Sequence, residues 1–256
     1  MSMERNQSHR QKDLRLRMIL AVVLAIIFVS VVTFAVYVNT YYHEGPAAVQ
    51  AMASDGVIAV YEMRDGVTIF TPEETLAAFI FYPGGKVEHT AYAPLLRACA
   101  ERGILCVLIR MPCDLAVFNV NGADGIREEF PEIEHWYMGG HSLGGAMAAS
   151  HAARHADELD GLVLLAAYSA QDLTDSGLDV LSVYGSEDGV LDMKKYERYR
   201  SNLPANVLEV VIDGGCHAGF GCYGAQNGDG EPAISSDEQI VQTAEEIARI
   251  MGRISP

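Results

Sequence analysis

The sequence predicts an α/β fold, a mostly parallel twisted sheet with helices on both faces, preceded by one transmembrane helix. Three observations predict it. Short, continuous apolar runs alternate with segments of helical periodicity from residue 56 to the end. Glycine-rich turns close several of those runs, as at Pro83-Gly84-Gly85 and Gly139-Gly140. An uncharged stretch, MILAVVLAIIFVSVVTFAVYV at 18–38, stands ahead of all of them.

That stretch has 21 residues. As a helix it would cover about 31 Å, the thickness of a bilayer's hydrocarbon. A core helix of this length would show a polar face, and this one has none. A cleaved leader would have an apolar region of only about 7–15 residues with a small-x-small site just after it. Here Ala51-Met52-Ala53 lies more than ten residues past the run, so a retained anchor is expected. Residues 1–17 carry five bases (Arg5, Arg10, Lys12, Arg15, Arg17) against two acids (Glu4, Asp13). The excess of basic residues places this tail in the cytoplasm and the rest of the chain outside, a single-pass protein of the cell membrane. The expected order is thus tail 1–17, transmembrane helix 18–38, linker 39–55, whose Ala-rich stretch after Gly45-Pro46 can form a short helix, and a folded domain 56–256.

Of the chain's 18 basic and 34 acidic residues, removing the tail's share leaves 13 and 32, a net of −19. Such a surface repels nucleic acid and anionic lipid, which are not expected partners. Five cysteines (Cys99, Cys106, Cys113, Cys216, Cys222) show no CxxC spacing, which argues against zinc and thioredoxin-like chemistry. No metal and no cofactor are expected. An extracytoplasmic domain permits disulfides, and Cys216 and Cys222 flank a glycine-rich loop they could close.

Along the domain, 57–63 and 67–71 joined by Asp65-Gly66 predict a hairpin. The run LAAFIFY at 76–82 predicts a strand buried on both faces. Tyr92, Leu95, Leu96 and Cys99 recur at helical spacing, and Gly103 ends that helix. Further strands are expected at 105–110, 136–139, 162–167, 180–184 and 207–212, with helices at 123–129, 142–155, 193–201 and 237–251. Ser235 and Glu238 form a capping box for the last helix.

The chemistry centres on Gly140-His141-Ser142-Leu143-Gly144, a G-x-S-x-G motif between a predicted strand and a predicted helix. That context is required, because the serine must sit on a strained turn that projects its hydroxyl from the sheet. Such a serine needs a base, and the base needs a partner that fixes its tautomer. His217 follows a later strand and is the last histidine of the chain. Asp188, in the turn after the 180–184 strand, is the preferred acid, with Glu187 and Asp192 as rivals. An oxyanion hole needs two backbone N–H groups. Leu143 supplies the first and Gly85 is preferred for the second, with Lys86 next.

These segments resemble the α/β-hydrolase superfamily, in particular its small, lidless dienelactone-hydrolase-like branch (the alpha/beta hydrolase fold-5 type). The matching stretches are FYPGGKVEHTAYAPLLRACAERG (81–103), GGHSLGGAMAA (139–149), YGSEDGV (184–190) and IDGGCHAGFGCYG (212–224). The resemblance implies a Ser142–Asp188–His217 triad and hydrolysis of ester or related acyl bonds on a small-molecule or surface-presented substrate. Dienelactone hydrolases use a cysteine nucleophile, so the serine argues against dienelactone itself. About a dozen residues, 168–179, stand where many lipases carry a lid, which implies an open site. Residues 110–112, Phe118, Asn119 and Phe220 are candidates for its lining. Two other readings use the same residues: an acyltransferase with the same triad, and a catalytically idle binding or sensing domain of this fold.

Overall fold

The computed structural model describes residues 2–252, with side chains from residue 14. The chain divides into two units, 1–41 and 42–256. The first is helix α1 (Ser2–Asn39). Its portion Leu14–Asn39 is 26 residues of membrane-spanning length and composition, with none of that span buried.

The second unit is an eight-stranded sheet: β1 (Ala59–Arg64), β2 (Val67–Thr71), β3 (Ala77–Tyr82), β4 (Ile104–Ile109), β5 (Trp136–His141), β6 (Gly161–Leu165), β7 (Asp179–Gly185) and β8 (Leu208–Ile212). Their spatial order is β1-β2-β4-β3-β5-β6-β7-β8. The β1–β2 hairpin is antiparallel within itself, β2 pairs antiparallel with β4, and β3 to β8 run parallel to one another. This is the predicted mostly parallel sheet with an antiparallel edge.

Helices cover both faces: α3 (Ala93–Ala100) and α6 (Ser236–Met251) on one, α4 (Leu143–Ala152) on the other. Side chains alternate across a strand, so β3 feeds both layers. Phe79 and Phe81 pack with Leu95, Leu96, Ile247 and Ile250. Ala78, Ile80 and Tyr82 pack with Met138, Ala148 and Ala149. A strand sandwiched this way has no solvent face to make polar, which is why it reads as an unbroken apolar run. The capping box of α6 forms as expected, with Ser235 Oγ accepting from Glu238 N–H at 3.2 Å and Glu238 Oε2 accepting from Ser235 N–H at 2.8 Å.

Two segments differ from expectation. Where 39–55 reads as a linker, the chain is packed from Tyr42 onward: Tyr42 bridges to Val87, and the Ala-rich stretch forms the short helix expected of it, α2 (Pro46–Ala51), which buries Ala48 and Ala51. Arg97 holds the end of this segment, donating to the Ala51 carbonyl and to Asp55. The helix expected at 123–129 is only a 3-10 turn, Arg127–Glu129. Gly125 has φ +73°, a left-handed turn that stops a helix from continuing.

The chain moves from β3 outward to β4, then returns across β3 to β5. The order reverses there, and the crevice beyond the carboxyl ends of β3 and β5 is where an open parallel sheet binds ligands.

Candidate active site

At this crevice β5 ends at His141 and α4 begins at Leu143, so the whole turn is made by Ser142. Ser142 has φ 52° and ψ −120°, a strained conformation for a residue with a side chain. Its N–H donates to the Leu165 carbonyl at 2.8 Å, which ties the turn to β6. The turn is possible because Gly144 has no side chain: a Cβ there would stand 2.2 Å from both the Tyr82 and the Pro83 carbonyl oxygens. A five-residue window therefore fixes both the backbone strain and the helix–strand approach.

His217 lies in the loop after β8 and Asp188 in the loop after β7. His217 Nδ1 and Asp188 Oδ2 are 2.8 Å apart, with side chains only 2% and 1% exposed. Asp188 Oδ1 accepts from the N–H groups of Val190 and Leu191 at 2.9 and 2.7 Å, so both carboxylate oxygens are held. The rivals are engaged elsewhere: Asp192 caps α5 (Met193–Tyr199) through Lys195 N–H, and the exposed Glu187 accepts from Ser186 Oγ. Only Asp188 of the three candidates pairs with the imidazole. His217 Nε2 is buried with no protein partner among the described residues. Ser142, Leu143 and His217 line one cavity of about 310 Å³ with Tyr168, Leu191 and Lys195.

The Gly-rich loop after β3 meets Leu143. A Cβ on Gly85 would lie 2.8 Å from Leu143 Cδ2, so the two backbones are in close approach. Gly84 N–H donates to Tyr92 Oη at 3.1 Å and Lys86 N–H to the Asp114 carbonyl at 2.7 Å. Gly85 N–H is the one of the three with no protein acceptor among the described residues. Leu143 is the first residue of α4, where an N–H has no intrahelical acceptor.

Three features of the site were not legible in the sequence. Asp229 is a second buttress: its Oδ1 accepts from His217 N–H at 3.0 Å and Gly189 N–H at 3.1 Å, and its Oδ2 from Ala218 N–H at 2.8 Å. One carboxylate thus ties the acid turn to the histidine loop. Burial pushes its pKa up, but these backbone N–H groups outweigh burial and the pKa lies below the usual carboxylate value. The second feature is His141, which lies inside the motif and packs its ring at a 52° tilt against that of His217, 4.5 Å between centroids. Tyr92 Oη accepts from Gly84 N–H and is hydrogen-bonded to His141 Nδ1 at 2.7 Å. The third concerns the walls. Residues 110–112, Phe118, Asn119 and Phe220 do not line the cavity. Phe220 instead packs against the His141 ring at 5.5 Å. All five cysteines are free thiols, so Cys216 and Cys222 do not close the histidine loop. The Cys216 thiol is buried and pushed up to about 11, chiefly by that burial.

A model of the alpha/beta hydrolase family matches residues 78–241. The chain belongs to the alpha/beta hydrolase family. Solved structures share the fold at low identity. An esterase from Pseudomonas putida aligns at 14% identity with a TM-score of 0.56, over 80% of this chain and 87% of its own. Est1E from Butyrivibrio proteoclasticus aligns at 14% with a TM-score of 0.55, over 77% and 100%. A dienelactone hydrolase from Anabaena variabilis aligns at 13% with a TM-score of 0.55, over 77% and 98%. No curated protein matches the chain.

A buried and a half-buried histidine of this α/β-hydrolase domain, His141 and His89, contribute to its response to acid. Burial first, then the neighbouring His217, holds the His141 pKa well below the usual histidine value. Burial and Arg110 likewise lower that of His89. Both groups take up protons in the unfolded chain near pH 6.5 while still neutral in the folded one. Their contribution is therefore complete above about pH 6.5 and is lost as the pH falls below it. The melting temperature is expected to drop between pH 7.5 and 5, with carboxylates such as Asp229 adding a further loss below about pH 4. A thermal melt series across that range checks this, and a melting temperature unchanged from pH 7.5 to 5 contradicts it.

Proposed function

We propose that this chain is a membrane-anchored serine hydrolase that cleaves ester or related acyl bonds through an acyl-enzyme intermediate. The observation that carries the reading is the buried His217–Asp188 pair, its Nε2 without a protein partner among the described residues, with His217 and Ser142 lining one cavity. His217 Nε2 takes the Ser142 proton as Oγ attacks the acyl carbonyl, and the imidazolium returns it to the leaving alcohol. Asp188 keeps the Nδ1–H tautomer and stabilises the imidazolium. The N–H groups of Leu143 and Gly85 hold the oxyanion. A water activated by the same imidazole then releases the acid. Ester hydrolysis also fits the solved structures of similar fold, of which the one from Pseudomonas putida is described as an esterase.

The substrate is a small or surface-presented ester. Only a short segment connects β6 and β7, and it contains no helix. The cavity wall instead comes from Tyr168 and the β7–α5 loop, with Lys195 the basic side chain lining it. The apolar span of α1 is read as a retained anchor, with the basic tail in the cytoplasm and the domain outside.

A fluorophosphonate probe tests the nucleophile. The wild-type chain should be labelled and Ser142→Ala should not. Labelling that survives the substitution overturns the assignment. A chain-length series of nitrophenyl esters, with Ser142→Ala as blank, then defines the acyl preference.

A further inference from the structure

Residues 42–45, just after α1 in the chain, are held from two sides. On one side lies the loop that carries Gly85. Tyr42 N–H donates to the Lys86 carbonyl at 2.8 Å, and Glu88 N–H donates to the Tyr42 carbonyl at 2.9 Å. Glu88 Oε2 accepts from Glu44 N–H at 3.1 Å, and Thr90 Oγ1 donates to Glu44. On the other side lies the loop that carries His217. Gly45 N–H donates to the Cys222 carbonyl at 2.7 Å, and Asn227 N–H donates to Tyr42 Oη at 3.0 Å. One short strap thus joins two loops, one before Ser142 in the chain and one after it.

Tyr42 also reaches the site through a row of rings. It packs against Tyr223 at 5.7 Å between centroids, and Tyr223 packs against Tyr92 at 6.2 Å. Tyr92 meets His141 at 5.6 Å, and His141 meets His217 at 4.5 Å. Tyr223, Tyr92, His141 and His217 are buried, and Tyr42 at the end of the row is half-buried. Rings packed at interior density pass a displacement on to the next ring. The second joint is equally close. A Cβ on Gly45 would stand 2.8 Å from Cys222 Sγ.

The proposed chemistry makes demands on these two loops together. The oxyanion donor and the base must meet one substrate carbonyl, and an error of about 1 Å can cost about 100-fold in rate. Asp229 ties the histidine loop to the acid turn at Gly189, and none of its bonds among the described residues reaches 83–88. Cys222 N–H bonds the Ala91 carbonyl at 2.8 Å, beyond the end of the Gly85 loop. The strap makes the tie at Lys86 and Glu88 themselves.

We propose that residues 42–45 are a positioning strap for hydrolysis, and that the Tyr42 ring holds the Gly85 loop and the His217 loop in register. The inference rests on the hydrolytic reading of Ser142 and His217. Tyr42 touches no reacting atom and acts through Tyr223, Tyr92 and the backbone of Lys86 and Glu88. The stretch expected as a linker is then part of the catalytic scaffold.

The test uses the full-length chain in detergent, with Tyr42→Ala, Tyr42→Phe and Arg97→Ala. Arg97 pins the end of α2 through Ala51 and Asp55, so its loss loosens this segment outside the strap. Active sites are counted with the fluorophosphonate probe, so that kcat refers to folded, labelled protein. Tyr42→Ala should lower kcat for nitrophenyl acetate by about 10–100-fold, with KM within a few-fold of wild type. Tyr42→Phe keeps the row of rings and should restore most of the lost rate. Arg97→Ala should lower the melting temperature and keep kcat within about two-fold of wild type. Amide exchange in Tyr42→Ala should quicken in both loops, 84–88 and 216–227. Wild-type kcat in Tyr42→Ala overturns the proposal. So does an equal loss in Tyr42→Phe, which takes the ring out of the effect, or in Arg97→Ala, which makes it general loosening. Failure of the hydrolytic reading looks different: the wild type is then not labelled, or labelling survives Ser142→Ala, and the strap loses its role with it.

Discussion

His217→Gln is expected to lower kcat for nitrophenyl acetate by about 10⁴–10⁶-fold while leaving KM within a few-fold of wild type. Without the imidazole the Ser142 hydroxyl has no group to take its proton. The oxyanion donors and the cavity remain, so binding persists. Asp188→Asn should cost about 10⁴-fold, because an amide facing Nδ1 favours the wrong tautomer. Asp229→Asn should cost less, about 10–100-fold. It touches no reacting atom but holds the His217 backbone and the Gly189 turn together. The graded series is the informative result, read from steady-state kinetics of all three variants. More than a tenth of wild-type kcat in His217→Gln contradicts the proposed base.

Gly144→Ala should be among the most damaging single methyl additions in the domain. Its Cβ would meet two backbone carbonyl oxygens at 2.2 Å, those of Tyr82 and Pro83. Backbone at the end of a central strand cannot yield as a side chain can. Relief requires moving α4 away from β3 or opening the Ser142 turn. Overpacking of this kind costs about 3 kcal/mol or more. That corresponds to a fall of about 6–12 °C in melting temperature for a domain of this size. Activity should fall with it, because the same turn aims Ser142. Gly56→Ala is the control: its Cβ would meet nothing within 4 Å, and a change below about 0.5 kcal/mol is expected. Equal melting temperatures for the two variants would show that the elbow does not need its glycine.

Much of the fold follows from short-range pattern. The run at 76–82 and the glycines around Ser142 report burial and backbone strain within a few residues, and sequence records both directly. The strand–serine–helix order was legible for this reason, as was the late His217. The sequence also carries the apolar span of α1, since length and composition alone define it. The structure shows both the elbow and the sheet that holds it.

Tertiary structure alone decided what depends on residues far apart in the chain. Asp188, Glu187 and Asp192 are chemically equivalent on paper. Only Asp188 meets His217, 29 residues away, because the turn after β7 aims it inward while Asp192 is spent as a helix cap. Gly85 is singled out over its neighbours by where the Gly84 and Lys86 N–H groups are already bonded. The Asp229 buttress has no local signature at all: it joins two loops whose meeting is set by sheet order, and sheet order is a property of the packed molecule.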